Sequence, residues 1–247
     1  MIWKGTQVAG TFKDKGLVIR EHPAGERDKR LTLILLGRGR ATVFAKGAGS
    51  PKSKFHACAQ IFAFSDFVFY EGAGYLSVSQ CELVQNFFGV RRDFERLCLA
   101  SHVLELADKM ILPDQPCHRE LRIIYQTLLK LSGEEYPPRL AAAVFEFKLF
   151  QIGGFSPVTG RCFSCNKGME KGGFFTYSGM VCENCVKDPV TNLSAAAAKA
   201  LAYILESEPK DLFSFTLAPG PTAELWQALD LFRRQILDSP PKSLEML

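Results

Sequence analysis

Two rhythms of hydrophobic and polar residues divide this chain. From Gly16 to about Leu83 apolar residues come in short runs and alternations broken by turn formers; beyond Phe88 they return every three or four positions. The first rhythm is that of strands and the second that of helices. Residues 17–20 (LVIR), 31–36 (LTLILL) and 40–46 (RATVFAK) read as strands separated by a turn-rich loop at 22–28 and a Gly-Arg-Gly turn at 37–39. Residues 61–70 and 75–84 flank the turn at 71–74 as a hairpin. About five short strands in so compact a stretch predict a small barrel of the OB type.

The helical rhythm predicts helices over 91–111, 118–131 and 138–152, the last closed by Gly153-Gly154, then 194–206 behind a Ser194 cap, and 222–237 opened by Thr222. The expected fold class is therefore α+β. An N-terminal OB-fold barrel over 1–85, with 1–14 as an extension, precedes a helical domain over 86–247 that carries a cysteine module at 160–188.

That module is the strongest chemical signal. Cys162 and Cys165 form one Cys-x2-Cys pair and Cys182 and Cys185 another, at the two ends of a short aromatic ribbon (GFFTY, 173–177). Such pairs bring four thiolates to one point, the tetrahedral all-sulfur cage of structural Zn2+. Four sulfurs leave no open position for water, so the expected metal is structural rather than catalytic. Two disulfides, four unrelated thiols or an iron–sulfur cluster would use the same residues. Zinc is favoured because nothing in the chain looks secreted and no other redox machinery accompanies the cysteines. Gly168 and Gly179 are the expected tight-turn positions beside the two pairs. Cys58, Cys81, Cys98 and Cys117 have no ligand spacing and read as reduced core thiols.

Charge sharpens the picture of the barrel. The net charge is +4, yet twelve of the 30 Lys and Arg and only four of the 26 acids fall within residues 1–55. A basic N-terminal region joined to a mildly acidic body points to a polyanion partner at one end, with a solvated basic face as the plainer alternative. In the strand 40–46 the two-residue period puts Ala41, Val43 and Ala45 on one face and Arg40, Thr42, Phe44 and Lys46 on the other. The second face has the composition of a single-strand nucleic-acid platform, a ring for stacking between cations for phosphates. Phe44 has two available fates, stacking on bases or packing under a neighbouring helix. Lys29, Arg30, Arg38, Arg40, Phe44, Lys46, Lys52 and Lys54 are the candidate contacts, the last two in a flexible basic loop at 47–54.

Several enzyme classes lack their signatures. The loop at 47–54 has Pro51 before Lys52 and so is no Walker loop, and neither Gly37-Arg38-Gly39 nor Gly72-Ala73-Gly74 continues into a dinucleotide fingerprint. The basic region is also poor in the clustered carboxylates of a metal-dependent nuclease. A non-catalytic, soluble, cytoplasmic protein is expected.

The order of these parts resembles the RecO family of bacterial recombination mediators. The likeness lies in residues 17–70 (LVIREHPAGERDKRLTLILLGRGRATVFAKGAGSPKSKFHACAQIFAFSDFVFY) and in FFTYSGMVCENC from Phe174 to Cys185. Gly25-Glu26, the Gly39 turn, Ala45-Lys46-Gly47 and Lys52-Ser53 are its specific echoes. The resemblance implies an OB barrel, a helical C-terminal domain and a zinc module. It implies binding of single- and double-stranded DNA, annealing of complementary strands, and work with RecR to load RecA onto DNA coated by single-stranded-DNA-binding protein (SSB), whose tail docks on the mediator. The family's chains usually start near Lys15, so 1–14 departs from the pattern. A different zinc-ribbon or OB protein acting on RNA or in transcription is the alternative.

Overall fold

The structure, a computed structural model, describes residues 10–72, 74–169, 171–187 and 191–247. Its backbone gathers into two compact units. One holds the described residues up to Phe88 together with Ala107–Leu121, and the other holds Gly89–Leu106 and Arg122–Leu247. The segment 107–121 thus lies with the barrel, whereas sequence reasoning assigned it to the helical domain.

The first unit is built on β1 (Gly10–Pro23), β2 (Lys29–Leu35), β3 (Gly39–Ala45), β4 (Phe64–Gly72) and β5 (Tyr75–Gln85). They close into a barrel in the order β1-β2-β3-β5-β4, antiparallel except where β3 meets β5 in parallel at Val43↔Leu76 and Phe44↔Ser77. Five strands closed in this way form the OB-type barrel that the alternation predicted. β1 is much longer than its expected four residues. Its first half pairs with β4 from Gly10↔Glu71 to Leu17↔Phe64, and its second half with β2 from Gly16↔Leu35 to Pro23↔Lys29, with an irregularity between Val18 and Arg20 just past the overlap. Such a bulge bends a strand so that it can serve two neighbours. Of the expected 1–14 extension, Gly10–Asp14 are the start of β1, and residues 1–9 lie outside the described residues.

Alternation fills the barrel. Val18, Leu31, Leu33, Leu35, Val43, Ala45, Phe67, Phe69 and Val78 are buried in one cluster, with Ala48, Cys58, Ala59 and Ala63 added from the β3–β4 connection. Residues 61–63 turn rather than extend, so β4 begins at Phe64. The segment 107–121 is stitched to the β2–β3 end of the barrel. The Arg40 N–H donates to the Leu112 carbonyl at 3.2 Å and the Cys117 N–H to the Leu36 carbonyl at 3.1 Å. Gly39, at φ +64°, sits so close to this segment that a Cβ there would stand 2.2 Å from the Leu112 oxygen.

The second unit is helical around α3 (Pro138–Ile152), in which every residue from Leu140 to Phe150 is buried. A helix buried on all sides belongs at the centre of its domain. α1 (Phe94–Met110) and α2 (His118–Ser132) divide between the units at the boundaries given above. α1 starts three residues later than the periodicity suggested, because the Asp93 carboxylate takes the Arg96 N–H at 2.8 Å as an N-cap would. Three further strands, β6 (Gly172–Thr176), β7 (Gly179–Val181) and β8 (Thr191–Ser194), form a sheet in the order β7-β6-β8. β8 runs into α4 (Ala195–Glu206), where the Ser194 hydroxyl accepts the Ala197 N–H as expected. α5 (Pro219–Ile236) starts three residues before Thr222, since Pro219 is suited to the first helical position. Phe175 of β6 meets Phe147 and Phe232 edge-on and ties the small sheet to the helices. Among the described residues no helix is long and apolar enough to cross a membrane.

Candidate metal centre and barrel face

The four cysteines converge. One sulfur from each of Cys162, Cys165, Cys182 and Cys185 lies within 4.8 Å of all the others, and the Cys165 and Cys182 Sγ atoms are 3.7 Å apart. A tetrahedral zinc with bonds of about 2.3 Å requires sulfurs roughly 3.8 Å apart, so the cage has the right size. Local backbone geometry builds it. In the first pair the Asn166 N–H returns to the Cys162 carbonyl at 2.9 Å, and in the second the Cys185 N–H returns to the Cys182 carbonyl at 2.9 Å. The left-handed position after the first pair is Asn166 (φ +63°) rather than the expected Gly168; asparagine tolerates that region because its short amide bonds locally. Gly179 does serve as a glycine must: at φ +122°, a Cβ would stand 2.3 Å from the Val158 nitrogen.

The sulfurs are electrostatically unequal. The Cys162 thiol is pulled down to about 6, chiefly by the Cys182 N–H, which points at its sulfur from 3.4 Å. Cys185 is pushed up to about 12, first by its hydrogen bonds with the Cys182 and Cys165 thiols. A set of crowded thiols of which one sheds its proton readily is a fitting starting point for a metal, which binds thiolates and displaces the remaining protons.

On the barrel, three strands present a polar outer face. Cross-strand registers line up Arg20↔Thr32↔Thr42 in one row and His22↔Arg30↔Phe44 in the next. Arg20, His22, Arg30, Thr32, Arg40 and Thr42 border a cleft of about 570 Å³ that also includes Leu76, Asp108, Pro113 and Asp114. Phe44 is 43% exposed, so its ring stands at the surface beside Arg30 rather than in the core. Lys46, Lys52 and Lys54 are exposed at and beyond the end of β3, with the Lys54 ammonium 4.9 Å over the Phe55 ring.

Two of the predicted cations stand elsewhere. Lys29 is mostly buried, paired with Glu21 and donating to the Ala59 carbonyl at 3.2 Å. Arg38 grips Glu71 through two hydrogen bonds of 3.0 and 2.8 Å and covers the Phe12 ring at 3.9 Å. That fork holds the Glu71 carboxyl below the usual carboxylate range and raises Arg38 in return. Sequence reasoning missed Arg20 and His22, because it ended the first strand at Arg20 and took His22 for loop. The two-residue spacing of Arg20 and His22, continued along β1, is the signal that finds them.

Fold and site define a class: an OB-type barrel with a cationic, aromatic-bearing face, joined to a helical unit that carries a four-cysteine cage. Comparison with known proteins then specifies it. Residues 9–87 match the family model for the recombination protein O N terminal, and residues 91–245 that for the recombination protein O C terminal. The DNA repair protein RecO of Acetivibrio thermocellus is 30% identical over 240 residues, 96% of each chain. That of Clostridium novyi is 28% identical over 238 residues, covering 95% of this chain and 93% of its own. That of Halalkalibacterium halodurans is 30% identical over 216 residues, covering 86% and 85%. The chain belongs to the RecO family of DNA repair proteins.

Proposed function

We propose that this protein is a mediator of DNA repair and homologous recombination that holds DNA strands on the outer face of its barrel and promotes their pairing without making or breaking a bond. The observation that carries the reading is the exposed Phe44 ring beside Arg30, on a face that adds Arg20, His22 and Arg40, in a chain of this family. Bases stack on an exposed ring irrespective of sequence while guanidinium groups neutralise the phosphates alongside. Neutralising the phosphates of two strands on one surface lowers their repulsion, so that complementary bases can meet. Lys46, Lys52 and Lys54 extend the cationic track past β3. Lys29 and Arg38, which the sequence also nominated, serve the barrel through Glu21 and Glu71.

In this reading the cysteine cage holds structural Zn2+. The ion's binding energy folds a segment whose own core is small. The partners are single- and double-stranded DNA, SSB through its tail, and RecR, with RecA loaded onto the strand that the mediator exposes. Cytoplasmic action at the nucleoid follows from those partners.

The test is single-stranded DNA binding by Arg30→Ala combined with Phe44→Ala, measured on protein whose melting matches the parent. Loss of one phosphate contact and one stacked base together costs about 2–4 kcal/mol, a drop in affinity of roughly thirtyfold or more. Unchanged affinity in the folded double variant removes this face from the mechanism, and stronger binding to RNA than to matched DNA would turn the reading toward an RNA-binding protein.

A further inference from the structure

The cleft on the barrel face is not purely cationic. Three guanidinium groups, from Arg20, Arg30 and Arg40, share it with the carboxylates of Asp108 and Asp114. Asp108 engages two of the three, Arg20 and Arg40. Its Oδ2 lies 2.5 Å from Arg20 Nη2 and its Oδ1 3.4 Å from Arg40 Nη1, while its main-chain oxygen accepts from the same Arg40 nitrogen at 2.8 Å. The Asp108 side chain is 16% exposed, against 53% for Arg20 and 39% for Arg40. The carboxylate is therefore set back in the cleft and the guanidinium groups stand toward solvent.

We propose that Asp108 is a built-in counter-ion for the barrel's phosphate-binding arginines, a residue that limits affinity and makes polyanion binding reversible; this rests on the reading of the barrel face given above. A phosphate arriving at the cleft meets guanidinium groups already half-neutralised and must compete with a fixed carboxylate. Arg20, held by one contact and more than half exposed, turns outward to the phosphate. Arg40 keeps its main-chain anchor and holds the site's shape. The segment 107–121, which belongs to the same unit as the barrel, thus supplies a restraint that the strands themselves lack. For a protein that must release the duplex it has helped to form, a surface of moderated charge is more useful than one of maximal charge. Formal charge makes the point: three arginines against two aspartates leave one net positive charge on the cleft, and neutralising Asp108 doubles it.

The test is Asp108→Asn, which keeps the shape and one acceptor oxygen, in the full-length, metal-loaded protein. Binding of a fluorescent single-stranded oligonucleotide is measured across a salt series. The expected result is an affinity gain of about tenfold at low salt, from removing one like charge close to a phosphate in a half-exposed cleft. The plot of log affinity against log salt steepens by about 0.7 for each arginine released to a phosphate. Adding Arg20→Gln to Asp108→Asn abolishes most of the gain, and Asp114→Asn alone, outside the two bridges, gives much less. Lower or unchanged affinity in folded Asp108→Asn overturns the inference and makes Asp108 a prop for its arginines. An equal gain from Asp114→Asn also overturns it, since any nearby charge would then suffice. If Asp108→Asn fails to fold, Asp108→Ser is measured in its place, and the same gain or its absence decides. Arg30→Ala with Phe44→Ala separates the two readings. Should that pair weaken binding while Asp108→Asn does not strengthen it, only the counter-ion fails; should that pair leave binding intact, the barrel face itself is the wrong surface.

Discussion

Replacing Glu146 by glutamine should cost the helical unit far more than a surface charge would. Glu146 lies in the middle of α3 and is fully buried. Its Oε1 accepts from Arg233 Nε at 2.6 Å, and its Oε2 from Arg233 Nη2 at 3.1 Å with His102 Nε2 also at 3.1 Å. The Ser243 hydroxyl stands 3.3 Å from the other ring nitrogen of His102 and donates to Glu105 at 2.7 Å. One carboxylate therefore links α1, α3 and α5, and through His102 reaches the C-terminal turn. Burial works against the charged carboxyl, but the Arg233 and His102 charges and hydrogen bonds outweigh it and hold Glu146 below the usual carboxylate range. Removing one partner of such a pair leaves an uncompensated buried cation and costs about 3–5 kcal/mol. At a few degrees per kcal/mol for a unit of this size, the melting temperature should fall by roughly 10–20 °C.

The pH dependence has a definite sign. A carboxyl whose folded pKa is depressed stabilises the protein above its unfolded value of about 4.3, and that contribution is lost as pH falls through the lower folded value. The gap in unfolding free energy between parent and Glu146→Gln should therefore be constant above about pH 5 and shrink toward acid. Denaturant melts at several pH values, followed by circular dichroism, measure it. A variant within about 0.5 kcal/mol of the parent at neutral pH would refute the reasoning, because surface substitutions already reach that range. So would a gap that widens on acidification.

Two other substitutions probe separate parts of the account. Cys182→Ser removes one wall of the sulfur cage, so bound zinc measured by mass spectrometry of the native protein should fall toward zero and the helical unit should melt earlier; full zinc occupancy in that variant would contradict a four-sulfur site. Gly39→Ala sets a Cβ 2.2 Å from the Leu112 oxygen at a positive φ, which should destabilise the barrel unit by more than about 1 kcal/mol in denaturant melts, and a neutral result would disprove the tight approach of 107–121 to β3.

What could be read from the sequence was what depends on neighbours along the chain. The four-cysteine cage follows from two Cys-x2-Cys pairs, each closed by its own turn, and the five barrel strands follow from alternation such as Leu31, Leu33 and Leu35. The Ser194 cap is equally local. What could not be read depends on distant partners. Lys29 and Arg30 are adjacent and equally charged, yet one finds Glu21 on β1 and the other faces outward beside Phe44. Arg38 is engaged by Glu71, 33 residues away, and Arg20 joins the outer face only because β1 runs beside β2. His102 is bonded to Glu146 across 44 residues, and Arg233 reaches the same carboxylate across 87. No spacing rule announces such a network, since each member reads alone as an ordinary helical residue.

The most direct measurement of the central claim is annealing of complementary single strands already coated with SSB, with and without the metal-loaded protein, across a salt series. The account predicts acceleration that fades as salt rises and is largely lost when Arg30 and Phe44 are both replaced by alanine. No acceleration by the folded, zinc-loaded protein at any salt concentration would contradict it.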